Sequence, residues 1–387
     1  MATKPGPYSY LDLVNICGNM RVGRPSPIPS EFDSEHLAPL YLNDAPHAPV
    51  IGLLRPQIVE LLDAENQRSR AKGGPPIWGG ITSIPGLTQS RIGFHASVDT
   101  HAKRTAVMRE LCERWRDSGV FSDIIGPKKW RDEMYPVYRD PFGVHDHPST
   151  SAEAEDEGNN LNFAFEMERS ACALFGIVTY GVHMSTYQEV ESEMGEKSLK
   201  LWIPTRASTK SMWPGYLDNT VAGGIPSGMP IFEALVKECM EEASLSEDLV
   251  RAHVRAVGCI SYYFRTAKGW LQPEVEYVYD MVIPAGADPA PFEPKPLDGE
   301  VERFDVNFHF FLFDVLSLLT RALNTIQFLD KDQVEQEMRA GRFKPNCASV
   351  LIDLFVRLGH ITPDNEPDFM RIVTRLHTQF DYERWST

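Results

Sequence analysis

No paired-cysteine motif occurs in the chain: Cys17, Cys112, Cys172, Cys239, Cys259 and Cys347 lie far apart, with no C-x-x-C and no zinc-type spacing. That excludes a disulfide framework or a cysteine-held zinc and reads as reduced thiols, several of them in the core. Cations are the scarcer charge, 38 Lys and Arg against 54 Asp and Glu, for a formal net charge of -16 at pH 7. Such a chain repels a nucleic-acid backbone or an anionic membrane at long range, so neither is expected as a partner. An anionic substrate then needs local help, from a cation or a few well-placed basic side chains. Long apolar runs are lacking too. The most apolar one, Phe308 to Leu323, is shorter than a membrane span and is broken by Asp314 and Arg321. The opening MATKPGPYSYLDLVN has neither the basic and apolar segments of a secretory signal nor the Arg- and Ser-rich character of a transit peptide, so the expected compartment is the cytosol. No internal repeat is visible, and nothing in the sequence fixes the oligomeric state.

What is present is the composition of a folded globular protein, 42% hydrophobic and 24% charged. Helical spacing of apolar residues runs from Tyr8 to about Asn19. VIGLLRPQIVELLDAENQRSRA passes from a strand-like run into a helix at Pro56. RIGFHASV alternates like a strand, and Thr100 is placed to cap a helix reaching Gly119. These elements predict an α+β domain over residues 1–145. The acidic, polar stretch around Ser149 to Asn160 is expected to act as a linker, 146–160. From 161 to 387 the texture is strand-rich: GIVTYGVHMSTYQ, SLKLWIPTR, TVAGGI, VRAVGCISYYF and VEYVYDMVI, interrupted by one strong helix from Ile231 to about Ser244. Two further helices are expected near the C-terminus.

That strong helix carries the chemistry. Glu238, Glu241 and Glu242 fall at i, i+3 and i+4, so they project side by side and repel one another, with only Lys237 nearby to offset them. A solvated acidic face is the plain explanation. The preceding AGGIPSGMP, a Gly-rich turn from a strand into the helix, favours instead an oxygen-ligand site for a hard cation such as Mg²⁺ or Mn²⁺.

Gly223 to Leu245 resembles the Nudix box, G-x5-E-x7-R-E-U-x-E-E-x-G-U with U aliphatic. In register, Gly223 supplies the first glycine, and Glu238, Glu241 and Glu242 match the carboxylates that bind metal in that family. Met229 stands where the first Glu is expected, Lys237 replaces Arg, and Ser244 replaces the second Gly. The blocks LKLWIPTRASTKSMWPGYLDNTVAGGIPSGM, ISYYFRTAKGWLQPEVEYVYD and FKPNCASVLIDLFVRLGHITPDNEPDF are similar to Nudix enzymes related to the fungal thiamine pyrophosphokinase fusion and its plant counterparts. Those enzymes carry an N-terminal domain of unknown function, which residues 1–145 resemble. Residues 306–327 have no counterpart there and read as an insertion.

The resemblance implies an α/β fold, a Nudix α/β/α sandwich with a mixed sheet beside the α+β N-terminal domain. It also implies metal-dependent hydrolysis of a small-molecule diphosphate, an oxidised or damaged thiamine diphosphate going to the monophosphate plus phosphate. The alternatives are a nucleoside diphosphate derivative such as ADP-ribose as substrate, or a Nudix-fold binding module that has lost catalysis. Arg206 and Lys210, with Gly223 and Gly224, are candidate substrate contacts. Glu274 and Glu276, at strand spacing two and hence on one face, are candidates to complete the metal shell. Trp202, Trp213, Tyr263, Phe264 and Trp270 are candidates to stack on a flat ring. His183, in a strand-like run, reads as a satisfied sheet residue.

Overall fold

A computed structural model describes residues 7–81, 91–155, 160–191, 197–210, 212–295 and 326–382. Helix α1 (Tyr10–Cys17) starts at a capping box in which Ser9 and Asp12 each bond the other's backbone N–H. Strands β1 (Ala38–Asn43) and β2 (Val50–Leu54) pair antiparallel, and Pro56 opens α2 (Pro56–Ala71) at a position where its missing N–H costs nothing. With β3 (Trp78–Gly79) and β4 (Ile92–Phe94) they form a four-stranded sheet in the order β2-β1-β4-β3. Helix α3 (His101–Ser118) is capped by the Thr100 hydroxyl, which accepts the Lys103 N–H, and stops at Gly119 with φ 73°. Next come β5 (Met134–Tyr138), α4 (Ser151–Glu155), β6 (Phe163–Glu168) and α5 (Cys172–Phe175). β5 and β6 pair antiparallel across the acidic segment.

The five strand-like segments of the second half all enter one sheet, as β7 (Thr179–Glu191), β8 (Lys197–Pro204), β9 (Val221–Gly224), β10 (Val254–Arg265) and β11 (Leu271–Ile283). Helices α6 (Ile231–Ala243) and α7 (Glu247–His253) lie between β9 and β10 in the chain. After β12 (Ile326–Asp330) come α8 (Lys331–Arg339), α9 (Pro345–Arg357) and α10 (Phe369–Leu376). The strand order is β10-β11-β7-β8-β12, with β9 pairing Gly181 to Met184 of β7 beside β8. β11 and β7 are parallel and the other pairs antiparallel, so the sheet is mixed. The stretch read as an insertion lies outside the described residues as far as residue 325, and Ile326 then begins β12.

Alternation along the strands sorts the two faces. Val182, Met184, Val275, Tyr279 and Met281 pack with Ala234, Leu235 and Cys239 of α6. Tyr187, Ile260, Tyr262 and Val278 pack with α9 and α1. Each fully buried aliphatic or aromatic side chain contributes about 1.5–3 kcal/mol to holding these layers together. The result is a mixed α/β architecture, a sheet between helices. Glu274 and Glu276 point to the α9 face, while α6 lies on the other. Among the described residues no helix is long and apolar enough to cross a membrane.

Candidate functional site

The Gly-rich turn is pinned at both ends: Ile225 donates to the Tyr180 carbonyl (3.0 Å) and Ser227 to the Met134 carbonyl (2.9 Å). Gly228 takes φ 76°, where a side chain is strained. α6 then buries Ala234, Leu235, Val236, Cys239 and Ala243, which leaves its glutamates at the boundary. It ends on Ser244 in the left-handed conformation, φ 53° and ψ 27°, a place where Gly is the usual residue. Met229 does not stand in for a carboxylate; its side chain packs on the core beneath α6.

The three glutamates share a turn but not a surrounding. Glu238 is 15% exposed and lies so close to Gly223 that a Cβ there would collide with its carboxylate. Burial pushes its carboxyl up, against the opposing charge of Lys237. The Lys237 ammonium is 3.7 Å from Glu238 Oε1 and 3.0 Å from Glu241 Oε2, and Glu241 is 56% exposed. Glu242 stands 4.0 Å from Lys210 Nζ. Among the described residues no three His, Cys, Asp or Glu gather closely enough to hold a metal ion. The donor chemistry nonetheless fits a hard divalent cation: carboxylate oxygens only, each now answered by an ammonium, and one of them substantially desolvated.

Beside the same glycine strand is a polar chamber of about 270 Å³. Gly181, Gly223 and Gly224 line it, and a Cβ on Gly224 would collide with the Tyr135 hydroxyl. That hydroxyl is buried and has no hydrogen-bond partner among the described residues. Beside it Arg169 lies over the Tyr135 ring (5.0 Å) and pairs with Glu133 (2.8 Å). Arg169 lies near enough to act electrostatically on both Glu238 and Glu274. Lys344, Arg131 and Lys129 complete the basic side of the wall.

Glu274 and Glu276 line this chamber rather than the α6 surface. The Tyr262 hydroxyl donates to both, at 2.8 Å to Glu276, and Asn346 Nδ2 donates to Glu276 at 3.2 Å. Burial and the charge of Glu276 raise Glu274, whereas burial of Glu276 is outweighed by His183 and Lys344, which hold it well below the usual carboxylate range. His183 is 2% exposed, with Nδ1 2.7 Å from Asn219 Oδ1.

Of the other sequence candidates, Arg206 pairs with buried Asp218 and also donates to the Met212 carbonyl (3.3 Å), so it fastens the 206–217 loop. Neither Arg206 nor Lys210 lines the polar chamber. Trp202 stacks on Phe328, and Tyr263 and Trp270 are buried, whereas Trp213 and Phe264 line a second, apolar chamber. Sequence reasoning missed Tyr135, Arg169, Lys344 and Asn346. The first two carry no local motif; Lys344 and Asn346 flank Pro345 at a helix start, which signals an N-terminus but not a site.

No family model matches the chain. An uncharacterised protein of Saccharomyces cerevisiae is 32% identical over 67% of this chain and 65% of its own length. Two Arabidopsis thaliana proteins, Nudix hydrolase 20, chloroplastic, and Nudix hydrolase 24, chloroplastic, are 31% and 30% identical over 73% and 75% of this chain. The matched regions cover 60% and 65% of those two relatives, so the chain spans less than two thirds of each. These likenesses support the Nudix hydrolase family.

Proposed function

We infer that the chain is a Nudix hydrolase that cleaves a diphosphate with the help of Mg²⁺ or Mn²⁺, and that its substrate is an oxidised or damaged thiamine diphosphate, cleaved to the monophosphate and phosphate. One observation carries the anion-binding half of this reading. A buried Tyr135 hydroxyl, unpartnered among the described residues, and the Arg169 guanidinium converge over Gly224, where no side chain fits. A phosphate oxygen there accepts from both, and the missing Cβ lets it approach the strand backbone. Lys344 in the chamber lining adds charge, which answers the need created by an acidic protein handling an anion.

Glu238, Glu241 and Glu242 are the residues that would hold the metal. When bound, the cation neutralises diphosphate charge and lowers the pKa of a water for in-line attack on phosphorus. The chain itself orients the reacting group: Gly223 gives Glu238 its place, and Arg169 fixes the phosphate against the same strand. Residues 1–145 and 161–387, joined through 146–160, are proposed as two functional regions, of which the first lends Lys129, Arg131 and Tyr135 to the chamber. The cytosol remains the proposed compartment.

The test is product formation from thiamine diphosphate, its oxidised analogues and ADP-ribose with Mg²⁺ or Mn²⁺, for the parent and for Glu238→Gln. The expected result is turnover of an oxidised thiamine diphosphate that falls by at least about 100-fold in the variant, the scale of losing one transition-state charge contact. A Mg²⁺-dependent rise in Tm at neutral pH, smaller in the variant, reports metal binding independently of turnover. Turnover of ADP-ribose alone moves the substrate to the nucleoside diphosphate class. Binding of these compounds without cleavage of any would replace the hydrolase by a binding module.

A further inference from the structure

We infer that the apolar chamber beside the polar one binds the organic head of the substrate, a flat aromatic ring whose phosphorylated end reaches Arg169 and Tyr135. The inference rests on the diphosphate reading above and adds to it a second subsite. The apolar chamber has a volume of about 1080 Å³ and is walled by Tyr8, Trp213, Tyr216, Phe264 and Phe343. Met212 and Thr266 line both chambers, so the two are adjacent. At about 270 Å³ and lined by charged groups, the polar chamber suits a diphosphate and not a heterocycle. Its neighbour falls at the large end of the range for small-molecule sites, about 300–1,000 Å³, and offers ring faces.

Trp213 is built into place rather than left over. It holds φ 53°, which a bulky side chain rarely adopts and which persists only where surrounding structure enforces it. The enforcement is visible. Arg206, locked to Asp218, donates to the Met212 carbonyl (3.3 Å) and its own carbonyl accepts the Gly215 N–H (3.1 Å). Tyr216 meets the Trp213 ring edge-on at 5.1 Å and fixes its plane. A loop whose backbone strain serves to present an indole to a chamber is arranged for stacking. The sequence candidate Arg206 therefore acts on the substrate through the loop it holds.

The experiment is calorimetric titration of the full chain with three probes, thiamine diphosphate, ADP-ribose and inorganic diphosphate, for the parent, Trp213→Ala and Trp213→Phe. Stacking losses on alanine substitution predict that Trp213→Ala weakens at least one ring-bearing probe by about ten-fold or more, while Trp213→Phe restores most of it. Inorganic diphosphate should change less than about two-fold, since it makes no stacking contact. Equal weakening of all three probes, no weakening of either ring-bearing probe, or failure of both to bind the parent overturns the inference. Binding is read without turnover, so a chain that discriminates ring-bearing probes through Trp213 but cleaves none would sink the hydrolase reading and leave this one standing.

Discussion

Two sets of carboxylates flank the glycine strand β9, and they are held in opposite ways. Glu238, Glu241 and Glu242 stand on a helix, answered by lysines at 3.0 to 4.0 Å. Asp218 and Glu276 are buried, Glu274 is half-buried, and all three are fixed by Arg206, Cys347, Tyr262, Asn346 and His183. At Glu241, the exposed member of the first set, an ammonium can give way to a metal ion at small cost, because exposed pairs contribute little. The second set cannot exchange partners without leaving a buried charge unpaired, which costs several kcal/mol. Burial, rather than the number of carboxylates, separates adaptable ligands from a rigid floor.

The comparison breaks first at Asp218. Its carboxylate accepts from Cys347 Sγ (2.6 Å) and pairs with Arg206, and although burial pushes it up, Lys344 and Arg206 hold it far below its ordinary value of 3.8. A folded pKa below the unfolded one means that its contribution is fully present above pH 3.8 and is lost as pH falls below that value. Asp218→Ala should cost about 3–5 kcal/mol in urea unfolding at pH 7, the scale of orphaning a buried partner. The variant should also lose less stability than the parent on acidification below pH 3.8. A change under about 1 kcal/mol, the scale of a surface pair, would place Asp218 with the helix set.

How far the sequence shows this contrast depends on the element. Alternation in LQPEVEYVYD put Glu274 and Glu276 on one face, and the i, i+3, i+4 spacing put the helix glutamates side by side; both arrangements are present. Local periodicity carries that information because one strand or one helix fixes it. It does not say which face of the sheet α6 covers, so the two acidic groups could not be separated. Nor does spacing announce that β5 pairs with β6 across the acidic stretch, which is what carries Tyr135 and Arg169 to Gly224. Arg206 looked like a phosphate contact because a cation beside a Gly-rich turn is one; its claim by Asp218 depends on a buried partner twelve residues on. Met229 was conspicuous as a missing carboxylate, and the core that receives its thioether is visible only in three dimensions.

A smaller effect on stability, with a larger one on activity, is expected at Gly223. The nearest atoms to an added Cβ there belong to the Glu238 side chain, a flexible group that can move aside, so Gly223→Ala should cost about 1–2 kcal/mol of the usual overpacking penalty. Moving the carboxylate, however, removes it from its proposed ligand position. Diphosphate hydrolysis should fall by at least about ten-fold, the sensitivity expected of a misplaced group, and the Mg²⁺-dependent rise in Tm should shrink. Parent-like turnover and metal response would show that the contact between Gly223 and Glu238 only packs the helix.

The smallest effect on folding is expected at Glu241, and it tests the adaptable side of the comparison most directly. Its carboxylate is 56% exposed and lies 3.0 Å from a Lys237 ammonium that also reaches Glu238. Glu241→Gln removes one like charge from the cluster along with one exposed ion pair, and the two losses oppose each other. Unfolding free energy should stay within about 0.5 kcal/mol of the parent. The freed Lys237 then serves Glu238 alone, so a metal must displace an undivided counterion with one ligand fewer. The Mg²⁺ concentration for half-maximal hydrolysis should rise by about ten-fold, as expected for one lost charge-assisted contact, with a smaller drop in kcat than Glu238→Gln produces. If stability and metal dependence both stay at parent values, Glu241 is part of a solvated face, and the metal is held by the two glutamates that lie nearer the sheet.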